Sequence, residues 1–538
     1  MRSLTNKIKI IVGYPPIESS KGVALLSQNR QFQYFNSPTF IYPMVPAYTA
    51  TMLKKNGYKA YWMDGIAQKQ TYTKWLTDLK KINPDYLLIE SKSPIIKTHW
   101  KQINEIKKLL PKIKIILVGD QVTVFPLESF ENCQVDYVIT GGDYDFVTTN
   151  LLNHIYKKEP LEGGVYWKKN DKNIKCKPIS TSSLKIKKLK LEICNSGPAS
   201  LKHDLNTLPF VDRDLTQWKL YAYENGNYKY TPATYMYSGR DCWWNRCTFC
   251  IWDHSINPIG SYRSFTPERL FAEVKHVVDK YDVKEIFDDA GTMFAGAKLE
   301  KFCNLLINSG YNKKVVYGCN MRFNAIKQDL YYLMKKANFR FILYGMESGN
   351  QKTLDKLDKG VKVDEIINGG RMASKAGLDV HATIMLGYPW ETLADAKKTI
   401  KLAKDCFKKG YFNTMQATIT IPYPGTPLWK ECREKGWLLT EDYDRYDMRE
   451  PVMKTPFPAE RIYELEQELY SAFMSPQYIF RKILSVRSPH DFLYFFYMGK
   501  KLLGHLLDFD PNQTKVNFIS FAFWKNSFNA LYKNLSKR

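Results

Sequence analysis

The sequence has only ten cysteines and eight histidines in 538 residues, and it lacks the run of about 18 uncharged apolar residues that a transmembrane helix needs. So few cysteines cannot staple a chain of this length, which excludes a disulfide-built secreted scaffold and makes a reducing, cytoplasmic setting the expectation. The first apolar stretch, Ile8 to Val12, runs into a glycine and two prolines. It is too short for a signal-peptide core and reads as a first β-strand. Acidic residues are scarce beside basic ones, 54 against 79, and the net charge is +25. Nucleic acid would suit that charge, but the basic residues are scattered and the densest local cluster is Lys185 to Lys190. The Lys-, Asn- and Ile-rich usage reads as compositional bias, so a nucleic-acid partner is disfavoured. With 44% hydrophobic and 25% charged residues the composition is that of a globular chain, not a disordered one.

The pattern along the chain predicts an α/β protein. Over 7–155, apolar runs at Ile8–Val12, Tyr58–Met63, Tyr86–Glu90, Ile113–Val118 and Asp136–Thr140 alternate with helical stretches. Such alternation means a parallel, doubly wound, Rossmann-like sheet whose ligands sit at the carboxyl ends of the strands. Residues 156–229 read as a linker with two short β-like stretches. From 230 to 440 the alternation resumes in six units, with strands at Ala233–Ser238, Glu285–Asp289, Val315–Cys319, Phe341–Met346, Asp379–Leu386 and Met415–Ile421. Six units predict a partial (β/α)6 barrel of the TIM type, active at its strand carboxyl ends. Residues 441–538 form a helical, aromatic-rich C-terminal region that includes Phe492–Tyr497 and Phe518–Trp524.

Three of the ten cysteines, Cys242, Cys247 and Cys250, fall within nine residues just after the first barrel strand. Thiolates are soft ligands for zinc or iron–sulfur clusters, and three on one tight loop leave a metal position open. On the cysteines alone, a zinc site with His254 as fourth ligand stays open.

The segment Cys242-x4-Cys247-x2-Cys250, with Phe249 before the last cysteine, resembles the cluster loop of radical S-adenosylmethionine (radical SAM) enzymes. The resemblance extends to Phe287-Asp288-Asp289, to Gly345-Met-Glu347-Ser348-Gly349 followed by Leu354 and Lys359-Gly360, to Gly387-Tyr-Pro389-Trp-Glu391-Thr392 and to Pro424-Gly425-Thr426-Pro427, in family order. It implies that the three thiolates hold a [4Fe-4S] cluster, with S-adenosylmethionine chelating the fourth iron and cleaved on reduction to a 5′-deoxyadenosyl radical. It further implies that Phe249, Asp288, Asp289, Glu347, Ser348 and Gly387 lie against S-adenosylmethionine. The family commonly has three residues between its first two cysteines where this chain has four, which bears on the loop more than on the ligands. Arg240 and Arg322 could neutralise charge there or form surface ion pairs.

The first domain is similar to the cobalamin-binding domain of the cobalamin-dependent class, through Tyr14-Pro15-Pro16, Asn56-Gly57-Tyr58, Val118-Gly119 and Thr140-Gly141-Gly142-Asp143. This implies cobalamin contacts at Tyr14, Gly119, Gly141 and Gly142. The chain departs from the pattern in having Gly119-Asp120 where a Gly pair and His are common, and in lacking Asp-x-His-x-x-Gly.

The resemblance implies a cobalamin-dependent radical SAM enzyme transferring methyl to an unactivated carbon of a small or lipid-like metabolite. It also implies an external electron donor such as flavodoxin or ferredoxin. The alternatives are a radical cyclase or rearrangement enzyme and a non-catalytic iron–sulfur or cobalamin sensor. A tRNA methylthiotransferase would need three further cysteines before residue 155, where only Cys133 stands. The Pro489–Leu507 helix, with Lys500, Lys501 and His505, adds an expectation of peripheral membrane contact.

Overall fold

The structure, a computed structural model, describes residues 5–26, 32–36, 39–174, 183–186 and 191–508. The Phe518–Trp524 segment, most of the Lys185–Lys190 cluster and the side chains of Lys500, Lys501 and His505 lie outside what is described.

Two parallel sheets dominate. The first is built on β1 (Lys9–Tyr14), β4 (Lys59–Asp64), β5 (Tyr86–Ser91), β6 (Lys114–Gly119) and β7 (Tyr137–Ile139), in the order β4-β1-β5-β6-β7. β1 runs parallel to both β4 and β5, so the strand order reverses between β1 and β5 and makes the switch point of a doubly wound sheet. Leu87, Ile89, Ile115 and Leu117 on one face, and Leu88, Ile116 and Val118 on the other, are fully buried. Helices cover both faces, which is why the strands read as continuous apolar runs.

Part of 156–229 extends this sheet instead of simply linking. β8 (Val165–Lys168) pairs antiparallel with β7, and β10 (Leu191–Asn195) lies between β8 and β9 (Ser183–Ile186). A small hairpin, β2 (Val23–Leu25) and β3 (Gln33–Phe35), stands apart from the sheet.

The second sheet contains β11 (Ala233–Met236), β14 (Glu285–Asp288), β15 (Val316–Met321), β16 (Phe339–Glu347), β17 (Asp379–Leu386) and β18 (Thr414–Ile419) in sequential order. All five pairings are parallel, and β11 and β18 do not pair with each other. Between β11 and β14 lies a short ribbon of β12 (Gly239–Arg240) and β13 (Arg263–Ser264). Helices capped by threonine separate the strands: Thr266 and Thr392 accept from the amides of Arg269 and Asp395 at the starts of Pro267–Tyr281 and Leu393–Lys408. Alternate residues of the later strands, such as Leu343 and Gly345 of β16 and Thr383 and Met385 of β17, line one cavity of about 660 Å³.

Beyond the sheet, helices Glu460–Tyr470, Pro476–Ser485 and Pro489–Asp508 pack near the strands. Among the described residues no helix is long and apolar enough to cross a membrane.

Candidate active site

The cavity is richest in chemical groups at the carboxyl end of the second sheet. Cys242, Cys247 and Cys250 all line it there, on the loop leaving β12. That loop is fixed at several points: Cys250 N–H donates to the Cys247 carbonyl at 3.0 Å, Thr248 N–H to Leu357 O at 2.9 Å, and Leu428 N–H to Thr248 O at 3.0 Å. The long spacing between the first two cysteines is taken up at Asn245, whose φ of 52° is left-handed, a conformation asparagine tolerates. Its side chain donates to Asp253 at 3.0 Å.

The Cys242 thiol lies 3.0 Å from Thr292 Oγ1. Burial pushes the Cys247 thiol up to about 12 and raises Cys250 well above its ordinary range. Thiolates so buried need a cation's charge, and a soft metal cluster supplies it. The donor set therefore fits an iron–sulfur cluster. Among the described residues no three His, Cys, Asp or Glu side chains gather as one metal ion would require. A cubane asks for a wider spread, because each of its thiolates binds a different iron. His254 does not line the cavity, and its buried Nε2 has no hydrogen-bond partner. The fourth ligand expected for a zinc site, His254, therefore stands outside the cavity that the three thiols line.

A second group faces the thiols. Lys359 Nζ lies 2.8 Å from Glu347 Oε1, with both residues buried on the cavity wall. Burial alone would lower the Lys359 ammonium, but Glu347 and Cys247 together hold it above its ordinary value. Glu347 has φ 60° where β16 breaks register against β17, which turns its carboxylate toward Lys359. A Cβ at Gly345 would displace Glu347 Oε1 and Lys359 Nζ, so glycine there leaves the pair its present position. Arg322 also lines the cavity; it donates to the Gly360 carbonyl at 3.1 Å and packs on Trp243 and Trp244, with its CZ 5.5 and 4.5 Å from the ring centroids. Its buried Nε makes no hydrogen bond.

The other expected S-adenosylmethionine positions divide. Phe249 lines the cavity beside the cysteines. Asp288 ends β14, but its carboxylate is caged by the amides of Ser238 (2.9 Å) and Ala290 (3.2 Å) and by the Tyr317 hydroxyl (3.1 Å); burial raises it to about 6. Asp289 accepts from Asn320 Nδ2 at 2.9 Å, and it is Asn320 that reaches the cavity. Ser348 donates to Glu391 at 2.9 Å, and Gly387 packs near Ile462; neither lines the cavity. The Glu347–Lys359 pair was half-legible in Lys359-Gly360 following the Glu347 motif. The role of the Trp243-Trp244 pair as a seat for Arg322 was not.

The expected cobalamin positions stand at the carboxyl edge of the first sheet, where the chain itself fills the space beside each. The fully buried Tyr14 donates to Glu90. A Cβ on Gly119 would strike the Ser91 carbonyl, one on Gly141 would meet Ala199 Cβ at 3.0 Å, and one on Gly142 would strike Asn257. None of the four borders the cavity. Beside them Arg240 pairs with Asp143 at 2.8 Å and with Asp145, all buried. Burial would raise the Asp143 carboxyl, but Arg240, His203 and Arg263 hold it well below its usual range.

The chain thus carries two parallel sheets, the first Rossmann-like, with three thiols at the carboxyl edge of the second. Residues 236–403 match the model of the Radical SAM superfamily, so the chain carries a radical SAM domain. An uncharacterized methyltransferase of Pyrococcus horikoshii is 24% identical over 447 residues, 82% of this chain and 90% of the relative. The fold is shared with the cobalamin-dependent radical enzyme OxsB, solved with aqua-cobalamin and S-adenosylmethionine bound, at TM-score 0.63 and 12% identity over 97% of this chain and 76% of that one. It is also shared with the radical SAM methyltransferase TsrM of Kitasatospora setae, solved with cobalamin and a [4Fe-4S] cluster, at TM-score 0.60 and 13% identity over 87% and 89%.

Proposed function

We propose that this chain is a methyltransferase-like radical SAM enzyme that cleaves S-adenosylmethionine reductively and acts on an unactivated carbon of a small or lipid-like metabolite. The observation that carries the reading is that Cys242, Cys247 and Cys250 share one wall of a cavity with Glu347, Lys359 and Arg322. Cys242, Cys247 and Cys250 would hold the cluster, which with S-adenosylmethionine supplies one-electron cleavage and a carbon radical. The residues bind and orient. Lys359 holds Glu347 fixed as a hydrogen-bond acceptor for a polar end of the cofactor, and Arg322 presents an unused N–H to a carboxylate. Phe249 offers a ring face to a flat heterocycle.

Cobalamin enters this proposal from the likeness to OxsB and TsrM, both of which hold it. Its place would be the carboxyl edge of the first sheet, where ligands of doubly wound sheets bind. The external electron donor, of the flavodoxin or ferredoxin kind, belongs to the same reading.

The test is anaerobic reconstitution with iron, sulfide, dithionite and S-adenosylmethionine. The wild-type chain is expected to show cluster absorbance and to release 5′-deoxyadenosine, and Cys250→Ala to lose both. An intact cluster that releases no 5′-deoxyadenosine would favour a sensor over an enzyme.

A further inference from the structure

The cavity continues well beyond the cysteines. From Met385 back to His381 on β17 it follows the strand for about 13 Å, ending among residues of the helices Pro476–Ser485 and Pro489–Asp508. The two ends differ in charge. Asp253 and Glu347, the lining carboxylates, both stand at the cysteine end, with Arg322 and Lys359. Among the described residues the far end has one lining cation, Lys482, and no lining carboxylate.

Lys482 Nζ lies over two aromatic faces, 5.4 Å from the Tyr478 ring centroid and 5.1 Å from that of Phe495. The carboxylate that acts on it, Asp379, is itself paired with Arg340 at 3.3 Å. Between the two ends the wall is mostly apolar, with Leu343, Phe341, Met415 and Tyr470, and is interrupted by uncharged polar groups such as Thr383 and Gln416. Ile483 lines the cavity and is also exposed, so the far end opens onto the surface. The same two helices also expose Phe480, Leu484, Phe492 and Leu493. A mostly apolar tube whose far end, among the described residues, presents the one lining cation Lys482 matches a molecule with an anionic head and an apolar body.

We propose that the substrate is such an amphiphile, its carboxylate or phosphate held at Lys482 and its apolar body running along β16 and β17 toward the cysteines. This rests on the radical SAM reading only for what happens at the cysteine end. The binding site itself stands on the far end.

The test uses the full chain and four probes of equal tail length: dodecanoate, dodecyl phosphate, dodecanol and dodecyltrimethylammonium. Each displaces a fluorescent apolar reporter in a titration run below the probes' micelle concentrations. At least one anion is expected to bind about ten-fold more tightly than the alcohol, and the better of the two identifies the head group. Lys482→Gln should bring the anions to the alcohol's affinity, Lys482→Glu should favour the ammonium, and Lys482→Arg should keep the wild-type preference. Equal binding of anion and alcohol by the wild type, or an unchanged preference in Lys482→Gln, would overturn the proposal. S-adenosylmethionine binding and 5′-deoxyadenosine release are measured on the same samples. Intact cleavage without anion preference removes this proposal alone, whereas anion preference without cleavage removes the radical reading and leaves the amphiphile site standing.

Discussion

The two parallel sheets end in polar groups at their carboxyl edges and use them in opposite ways. At the edge of the second sheet, Glu347, Lys359 and Arg322 face a cavity, and a buried guanidinium nitrogen is left without a partner. At the edge of the first, Tyr14 is spent on Glu90, and Arg240 on Asp143 and Asp145. Arg240 comes from β12, just after the first strand of the second sheet, so its ion pairs tie the first edge to the region that carries the second sheet. Strand–helix alternation tells where an edge lies. Whether that edge is open depends on what the rest of the chain lays across it.

The comparison breaks most visibly at Lys359. Replacing it with methionine strands the buried Glu347 carboxylate, a loss of roughly 3–5 kcal/mol for a buried pair deprived of one partner. S-adenosylmethionine affinity, read by calorimetry, should fall with it. The double variant Lys359→Met/Glu347→Gln should regain the stability but not the affinity. Recovery of both would mean that the pair is structural, like those of the first sheet.

Arg240→Met is the matching experiment at the closed edge. Asp143 keeps Arg263 and His203, but Asp145 loses its one ion-pair partner, so a comparable destabilisation is expected in thermal unfolding. Here the double variant Arg240→Met/Asp145→Asn should restore both folding and 5′-deoxyadenosine release. If folding returns and cleavage stays lost, the first edge takes part in the chemistry and the contrast between the edges fails.

Much of this was legible in the sequence, for identifiable reasons. The span expected for β17, Asp379–Leu386, coincides with the strand found, and those of the other central strands fall within two residues, because the first sheet's strands are near-continuous apolar runs and strands such as β17 alternate polar and apolar residues before a glycine. The cysteine loop was legible because three thiols in nine residues have few other uses. The hairpin β2–β3 was not, since two three-residue strands carry no periodicity. Nor was the pairing of β8 to β10, whose short alternating stretches sit in an irregular segment. The closure of the first edge was hidden for a different reason. Arg240 and Asp145 are 95 positions apart, and no local pattern joins them. Asp288 shows the same limit: it stands at a strand end as expected, but backbone amides of its own neighbourhood take up its oxygens. The cysteines hold one more departure, since Cys194 is disulfide-bonded although the scarcity of cysteines pointed to a reducing setting.

The smallest expected effect belongs to the closed edge and separates its charge from its packing. His203 stacks on Phe146, with ring centroids 4.3 Å apart, and lies 2.8 Å from Asp143 Oδ2 and 2.9 Å from Glu162 Oε2. Both ring nitrogens can donate only in the imidazolium form. Burial works against that charge, but the two carboxylates outweigh it and raise His203 to about 9. A histidine raised above its unfolded value of about 6.5 contributes stability that is fully present below that pH and is lost as pH rises through the folded value. The wild-type unfolding temperature should therefore fall between about pH 6.5 and pH 9 by a degree or two more than that of His203→Gln. Below pH 6 the two proteins should differ most. Curves that stay parallel across the range would mean that the imidazole is held by stacking on Phe146 alone, and that the first edge owes its closure to Arg240 and Arg263 without it.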